Sequence, residues 1–177
     1  AGTTDICRVY GTIPRPEDQL HINRAGDYID ESLIDEIQRK YVGAQITKDM
    51  ARRWKEQYSF TSVSPPSDPV IVDFSIDGKA MSLDITDCLS SACETIVDEI
   101  MVNVKILISE SNPEYHDAFR QNIILAGGGS GIRGLGATME ERLADLGDIT
   151  VHIVEDPVKL GAAGALRLAQ EVPEEYW

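Results

Sequence analysis

The feature that most constrains this chain is the run Leu125-Ala126-Gly127-Gly128-Gly129-Ser130-Gly131-Ile132-Arg133-Gly134-Leu135. Before it, residues 122–126 (Asn-Ile-Ile-Leu-Ala) read as a short buried strand, and Ala137 to Leu146 after it reads as a helix. A simple turn needs one or two glycines. So many between ordered elements suit a backbone that must lie against a flat ligand without side-chain interference. The same run contains Gly129-x-Gly131-x-x-Gly134, a literal dinucleotide fingerprint, followed by a helix, a strand and the acidic pair Glu155-Asp156. A nicotinamide-dependent oxidoreductase is therefore one reading of this loop. Against it, such a fingerprint belongs to the first βαβ unit, and about forty residues follow Gly134, too few for another unit of ~30 residues plus a substrate domain.

The remaining elements alternate between the two regular periods. Residues 4–10 read as a strand, Gly11 and the Pro14/Pro16 stretch turn the chain, and 18–24 return through Leu20 and Ile22. Asp27 is the expected cap of a helix with Ile29, Leu33, Ile34 and Ile37 on its apolar side up to Tyr41, and Asp30 adds negative charge to its first turn. Thr47 caps a second helix through Met50, Trp54 and Tyr58. After the loop Ser64-Pro65-Pro66-Ser67, residues 70–76 and 79–85 flank Asp77-Gly78, the strongest hairpin signal in the chain.

From Thr86 to Ser111 a single long helix is expected, its stripe made of Leu89, Cys93, Ile96, Val97, Ile100, Val104 and Leu107, with Pro113 beyond its end. Residues 149–154 form a strand, 158–170 a small-residue helix, and 171–177 a loose tail. The sum is a mixed α/β protein in which the stretch from about Asp27 to Ile85 inserts between two parts of one sheet.

Charge and cysteine content exclude several functions. A net charge of -14 argues against nucleic acid, whose phosphates need clustered Lys and Arg, and against anionic membranes. No apolar run approaches the ~18 residues of a membrane helix. The cysteines Cys7, Cys88 and Cys93 form no CxxC pair and read as buried, reduced thiols, which points to the cytosol. His21, His116 and His152 lie far apart and suggest no metal site. The opening Ala1-Gly2-Thr3-Thr4-Asp5 carries neither an initiator Met nor a signal pattern, so a cut from a longer protein is expected.

Three segments are candidates for chemistry. The glycine run is the first. The opening pentapeptide is the second: small residues let backbone N–H groups approach an anion, and Thr hydroxyls donate further bonds, although a tight turn explains it equally. The third is Lys55-Glu56 on the second helix, which by itself is an ordinary solvated pair.

Taken in order, these segments resemble the bacterial actins over nearly the whole chain. Ala1 to Asp5 is similar to the tail of a second phosphate loop, Asp-x-Gly-x-Gly-Thr-Thr. Arg24-Ala25-Gly26-Asp27-x-x-Asp30-Glu31 resembles the opening of the smaller subdomain in MreB-type proteins. Met50 to Tyr58 resembles the helix whose Lys-Glu pair meets ribose and adenine, and Leu125 to Leu135 the adenosine loop. Glu155-Asp156-Pro157 with Leu160-Gly161-Ala162 resembles the second connecting segment and final helix. Residues 11–19 and 55–60 look characteristic of the branch whose filaments run along magnetosomes.

The resemblance implies an actin-like ATPase (ribonuclease H-like) fold, here its C-terminal half, with a mixed sheet flanked by helices. Residues 1–26 and 86–177 would form the larger nucleotide-binding subdomain and 27–85 an inserted smaller one. It implies ATP or ADP with Mg²⁺ as cofactor. Gly2, Thr3 and Thr4 would hold phosphate oxygens, Gly26, Lys55 and Glu56 would meet ribose and base, and Gly127, Gly128 and Gly129 would flank adenosine. Asp5 would order water near the γ-phosphate. The implied partners are further copies in a cytoplasmic filament, the N-terminal half of the same protein and magnetosome-associated proteins. A non-polymerising actin-fold kinase or chaperone ATPase stays open beside this reading. The isolated half is expected to be inactive, because hydrolysis needs a first phosphate loop and a metal-positioning Asp.

Overall fold

The computed structural model describes residues 2–11, 14–157 and 159–171. Ala1 of the opening loop, Thr12-Ile13 of the first turn, Val158 and the tail 172–177 lie outside the described residues.

Strands β1 (Thr4–Cys7) and β2 (Gln19–Ile22) pair antiparallel, with Thr4 opposite Ile22 and Asp5 opposite His21. Thr4 and Ile6 face inward while Asp5 and Cys7 are exposed, the period-two alternation of a half-covered strand. Cys7 is therefore not the buried thiol expected of it, whereas Cys88 and Cys93 are buried. Both strands are shorter than the expected 4–10 and 18–24. A 3-10 turn at Pro16–Asp18 closes the connection, and the Arg8 side chain turns in to donate to Asp18 Oδ1 at 2.8 Å and to the Leu107 carbonyl at 2.6 Å.

Helix α1 (Gly26–Lys40) buries Ile29, Leu33 and Ile37. Its N-cap is Ala25 rather than the expected Asp27. The backbone turns at Ala25 with no capping side chain, which leaves Asp27 in the first turn, where a carboxylate still faces the positive helix end. Asp30, expected to add negative charge near the helix start, is fully buried. Strand β3 (Ala44–Gln45) follows, too short to show a period. Helix α2 (Lys48–Tyr58) starts as expected, with Thr47 Oγ1 accepting from the Met50 N–H at 3.3 Å.

The hairpin of β4 (Ile71–Ile76) and β5 (Lys79–Asp84) is also as expected. Asp77 and Gly78 adopt φ of 49° and 79°, the positive values of a tight turn that matches strand twist. One face of this sheet, through Val72 and Phe74, packs on Trp54 and Tyr41, with Trp54 and Phe74 rings 5.9 Å apart.

The long helix divides into α3 (Thr86–Glu94) and α4 (Val97–Ser109). At the break both the Thr95 N–H and its hydroxyl donate to the Ala92 carbonyl, at 3.3 and 2.6 Å, which tightens the turn to an i→i−3 pattern. The apolar stripe survives the break, and Leu89, Cys93 and Val97 are fully buried. A short α5 (His116–Arg120), unforeseen because five residues show no period, packs Phe119 edge-on against Tyr10 at 5.1 Å.

Strands β6 (Ile123–Leu125) and β7 (Val151–Ile153) run parallel, joined by α6 (Leu135–Arg142), and α7 (Leu160–Glu171) closes the described chain. Antiparallel and parallel pairing thus coexist, as a mixed α/β class requires. Among the described residues, however, the strands form three small sheets rather than parts of one: β1-β2, β3-β4-β5 and β6-β7. Helix α4 joins the first and last of them, packing on β1, β2 and α6.

Candidate functional site

The start of α1 gathers three of the segments singled out in the sequence. Thr4 Oγ1 donates to the Arg24 carbonyl at 2.9 Å, and a Cβ added to Gly2 would lie 3.9 Å from Asp27 Oδ2. The Gly2–Thr4 stretch therefore runs beside the Arg24–Asp27 turn. From α2, Lys55 Nζ reaches the Gly26 carbonyl at 2.7 Å and Asp30 Oδ1 at 2.6 Å. Gly2, Thr4, Gly26 and Lys55 are thus neighbours, and Thr3 is exposed between the first two.

Asp30 was not foreseen as part of this cluster. Its carboxylate is wholly inaccessible and makes no aligned hydrogen bond. It is held by charge alone, with Lys55 on one oxygen and Arg52 Nε 3.6 Å from the other. A signal for it existed in the sequence. Asp30 falls at the four-three-four spacing that runs from Gly26 to Leu33 and Ile37, so it sits on the buried stripe of α1. An acid on such a stripe needs a cation.

Asp5 and Glu56 are placed differently. Asp5 lies on the face of β1 opposite to Thr4, exposed, with its carboxylate 2.5 Å from Nδ1 of His21 on β2; Nε2 of His21 lies 3.0 Å from Asn23 Oδ1. The hydrogen bond to Asp5 raises the His21 pKa above its ordinary value of 6.5. Glu56 is exposed beside Lys55.

The glycine loop is held at its ends and open in its middle. Gly127, at φ +81°, donates its N–H to the Pro157 carbonyl at 3.0 Å, and Ser130 Oγ donates back to the Gly127 carbonyl at 2.8 Å. A Cβ at Gly127, Gly128, Gly129 or Gly131 would meet nothing within 4 Å. The positive φ of Gly127 accounts for a glycine there, whereas at Gly128, Gly129 and Gly131 no packing among the described residues explains the missing side chains, which suits close approach from outside.

Gly134 differs. At φ +82° its Cβ would sit 2.6 Å from both Ser64 Cβ and Thr61 Oγ1. The segment running on from α2 braces the start of α6: Thr61 N–H donates to the Arg133 carbonyl at 2.9 Å, and buried Thr138 Oγ1 donates to Thr61 Oγ1 at 2.7 Å. One continuous stretch, 55–64, thus touches Gly26 at one end and the glycine loop at the other. This covering also argues against the dinucleotide reading. A pyrophosphate would need the N-terminus of α6, and the chain's own residues 59–64 occupy it.

The profile of the Salactin family matches residues 18–173. The chain belongs to the Salactin family. It is 42% identical over all its 177 residues to the actin-like protein MamK of Paramagnetospirillum magneticum, covering 50% of that protein, and 41% identical to MamK of Magnetospirillum gryphiswaldense, covering 49%. This Salactin-family chain spans about half the length of the curated relatives it matches.

Among solved structures it superposes on a MamK double helical filament with a TM-score of 0.92 at 42% identity, over 98% of this chain and 53% of the other. On a non-polymerising MamK mutant bound to AMPPNP the TM-score is 0.88 at 42% identity, over 96% and 52%. The fold of this Salactin-family chain is therefore the actin-like one. The oxidoreductase alternative is not favoured. No helix among the described residues is long and apolar enough to cross a membrane.

Proposed function

We propose that this chain is the ATP-clamping half of an actin-like filament protein that polymerises with ATP and organises magnetosome chains. The observation that carries the reading is the single stretch 55–64, which reaches Gly26, beside the Gly2–Thr4 loop, at one end and the Arg133–Gly134 end of the glycine loop at the other. Two backbone turns distant in sequence can then serve one nucleotide.

In this reading Gly2, Thr3 and Thr4 donate to phosphate oxygens through N–H groups and the Thr3 hydroxyl, the Thr4 hydroxyl being given to the Arg24 carbonyl. Gly26, Lys55 and Glu56 line the nucleoside, and Gly127, Gly128 and Gly129 lie against adenosine. Residues 27–85 act as an inserted smaller subdomain on the larger body of 1–26 and 86–177. Mg²⁺ enters with the phosphates, which together with water supply most of the oxygens it needs. Bound ATP provides the phosphoanhydride bond whose hydrolysis to ADP and phosphate drives the cycle. Asp5, which follows the phosphate loop, would order water near the γ-phosphate from the face of β1 opposite to Thr4, with its carboxylate directed by His21. Other copies of the protein, its second half and magnetosome-associated proteins are the partners.

The experiment is sedimentation of the intact protein with and without ATP and Mg²⁺. Pelleting that needs ATP and reverses on hydrolysis supports the reading, and no polymer under any nucleotide condition removes it.

A further inference from the structure

The buried carboxylate of Asp30 has a use beyond stability. We infer that Asp30 is a positioning residue for nucleotide binding, pinning the Lys55 ammonium against the Gly26 carbonyl so that α1 and α2 present one rigid wall to the nucleoside. The inference rests on the ATP-clamping reading and deepens it.

The chemistry of the pair supports this. An ammonium has three donors: the Gly26 carbonyl accepts one at 2.7 Å, and a second side of the group faces the Asp30 carboxylate at 2.6 Å in an ion contact without aligned hydrogen-bond geometry. The third remains for a ligand or water. Lys55 keeps only 13% of its side chain exposed and Asp30 none, so water screens their attraction weakly. Arg52, 3.6 Å from the second Asp30 oxygen, is 45% exposed and therefore a looser partner.

A lysine free on a helix surface is a flexible point charge with high rotamer entropy. Held at two points it becomes a fixed donor, and a ligand then binds without the cost of ordering it. The same two contacts join Gly26, at the first turn of α1, to the last turn of α2. An apolar residue at position 30 would complete the stripe of Ile29, Leu33 and Ile37 but could not orient an ammonium.

The atoms of a nucleotide best suited to read such a fixed wall are the ribose hydroxyls, which accept from an ammonium and donate to a carboxylate such as Glu56. The test compares ATP with 2′-deoxy-ATP on the intact protein by calorimetry, together with the melting temperature of each variant. Asp30→Asn and Lys55→Met should each reduce the preference for ATP over 2′-deoxy-ATP, with roughly tenfold weaker ATP binding, the size of one charged hydrogen bond. Asp30→Asn added to Lys55→Met should change the preference no further, because Asp30 acts through Lys55. The double variant also removes both buried charges, which keeps the comparison available if the single variants fold poorly.

A lowered melting temperature with the ATP preference intact in Asp30→Asn would overturn the inference and leave the pair as a structural brace. An additive loss in the double variant would overturn it as well. If the unmodified protein binds neither nucleotide, it is the ATP-clamping reading itself that fails.

Discussion

The stretch from α1 to β5 and the helix α7 differ in whether their apolar residues are covered. In the first, Ile29, Leu33, Ile37, Ala51, Trp54 and Phe74 close over one another, and even a carboxylate and an ammonium are taken inside. In the second, Leu166 is 61% and Leu168 63% exposed, and none of the described residues is buried. Both carry apolar residues at helical spacing. The difference shows that local periodicity decides which side of an element is apolar, while burial depends on whether another element arrives to cover it.

The largest expected contrast comes from removing the same side chain in each region. Leu33→Ala should cost about 2–5 kcal/mol in denaturant unfolding, because a fully buried leucine leaves a cavity. Leu168→Ala should change stability by less than about 0.5 kcal/mol. Equal losses at both positions would show that α7 is covered in solution and would break the comparison.

Next in size is Gly134→Ala, expected to cost about 1–3 kcal/mol. It forces a positive φ on a residue with a Cβ and drives that Cβ into Thr61 and Ser64. Gly128→Ala meets open space, so its melting curve should move by less than about 1 kcal/mol. ATP affinity of the intact protein should nevertheless fall, by roughly tenfold if a methyl group displaces one good contact. Unchanged affinity would remove the glycine loop from the proposed site.

The smallest effect lies at the Asp5–His21 pair, which is exposed. Its sign is still definite. The folded-state pKa of His21 is raised, so the contribution of the pair is complete below the unfolded value near 6.5 and fades as pH rises through the folded value. An NMR titration should place the His21 midpoint above 6.5, and Asp5→Asn should bring it back down. A midpoint that ignores the Asp5 substitution would show that the two side chains do not meet in solution.

Much of the site could be read directly from residues, because each part announced itself by composition. Gly127 to Gly131 broke a pattern of apolar elements, and Asp77-Gly78 carried a turn that only certain residues adopt. Other parts were hidden by their form. The interruption of the long helix at Thr95 lies within an unbroken apolar stripe, so periodicity gave no warning of a hydroxyl competing for the Ala92 carbonyl. The cap of α1 fell on Ala25 because backbone geometry at the turn, not the nearest capping side chain, set the helix start. Asp30 read as added negative charge near the helix start, although its place on the stripe pointed inward.

Sequence alone determined the main helices and the β4–β5 hairpin, since 2.0 and 3.6 periods and turn chemistry act over a few neighbours, while the short α5 and the break at Thr95 escaped it. It also determined that two small-residue loops stand apart from the core. Only the tertiary structure decided that Lys55 serves a buried carboxylate one helix away and that Gly134 yields to Thr61 and Ser64. It alone made one segment, 55–64, run from the Gly26 turn to the Arg133–Gly134 end of the glycine loop. Those are contacts between residues distant along the chain, and their energies depend on distance and water exclusion, which no local pattern encodes.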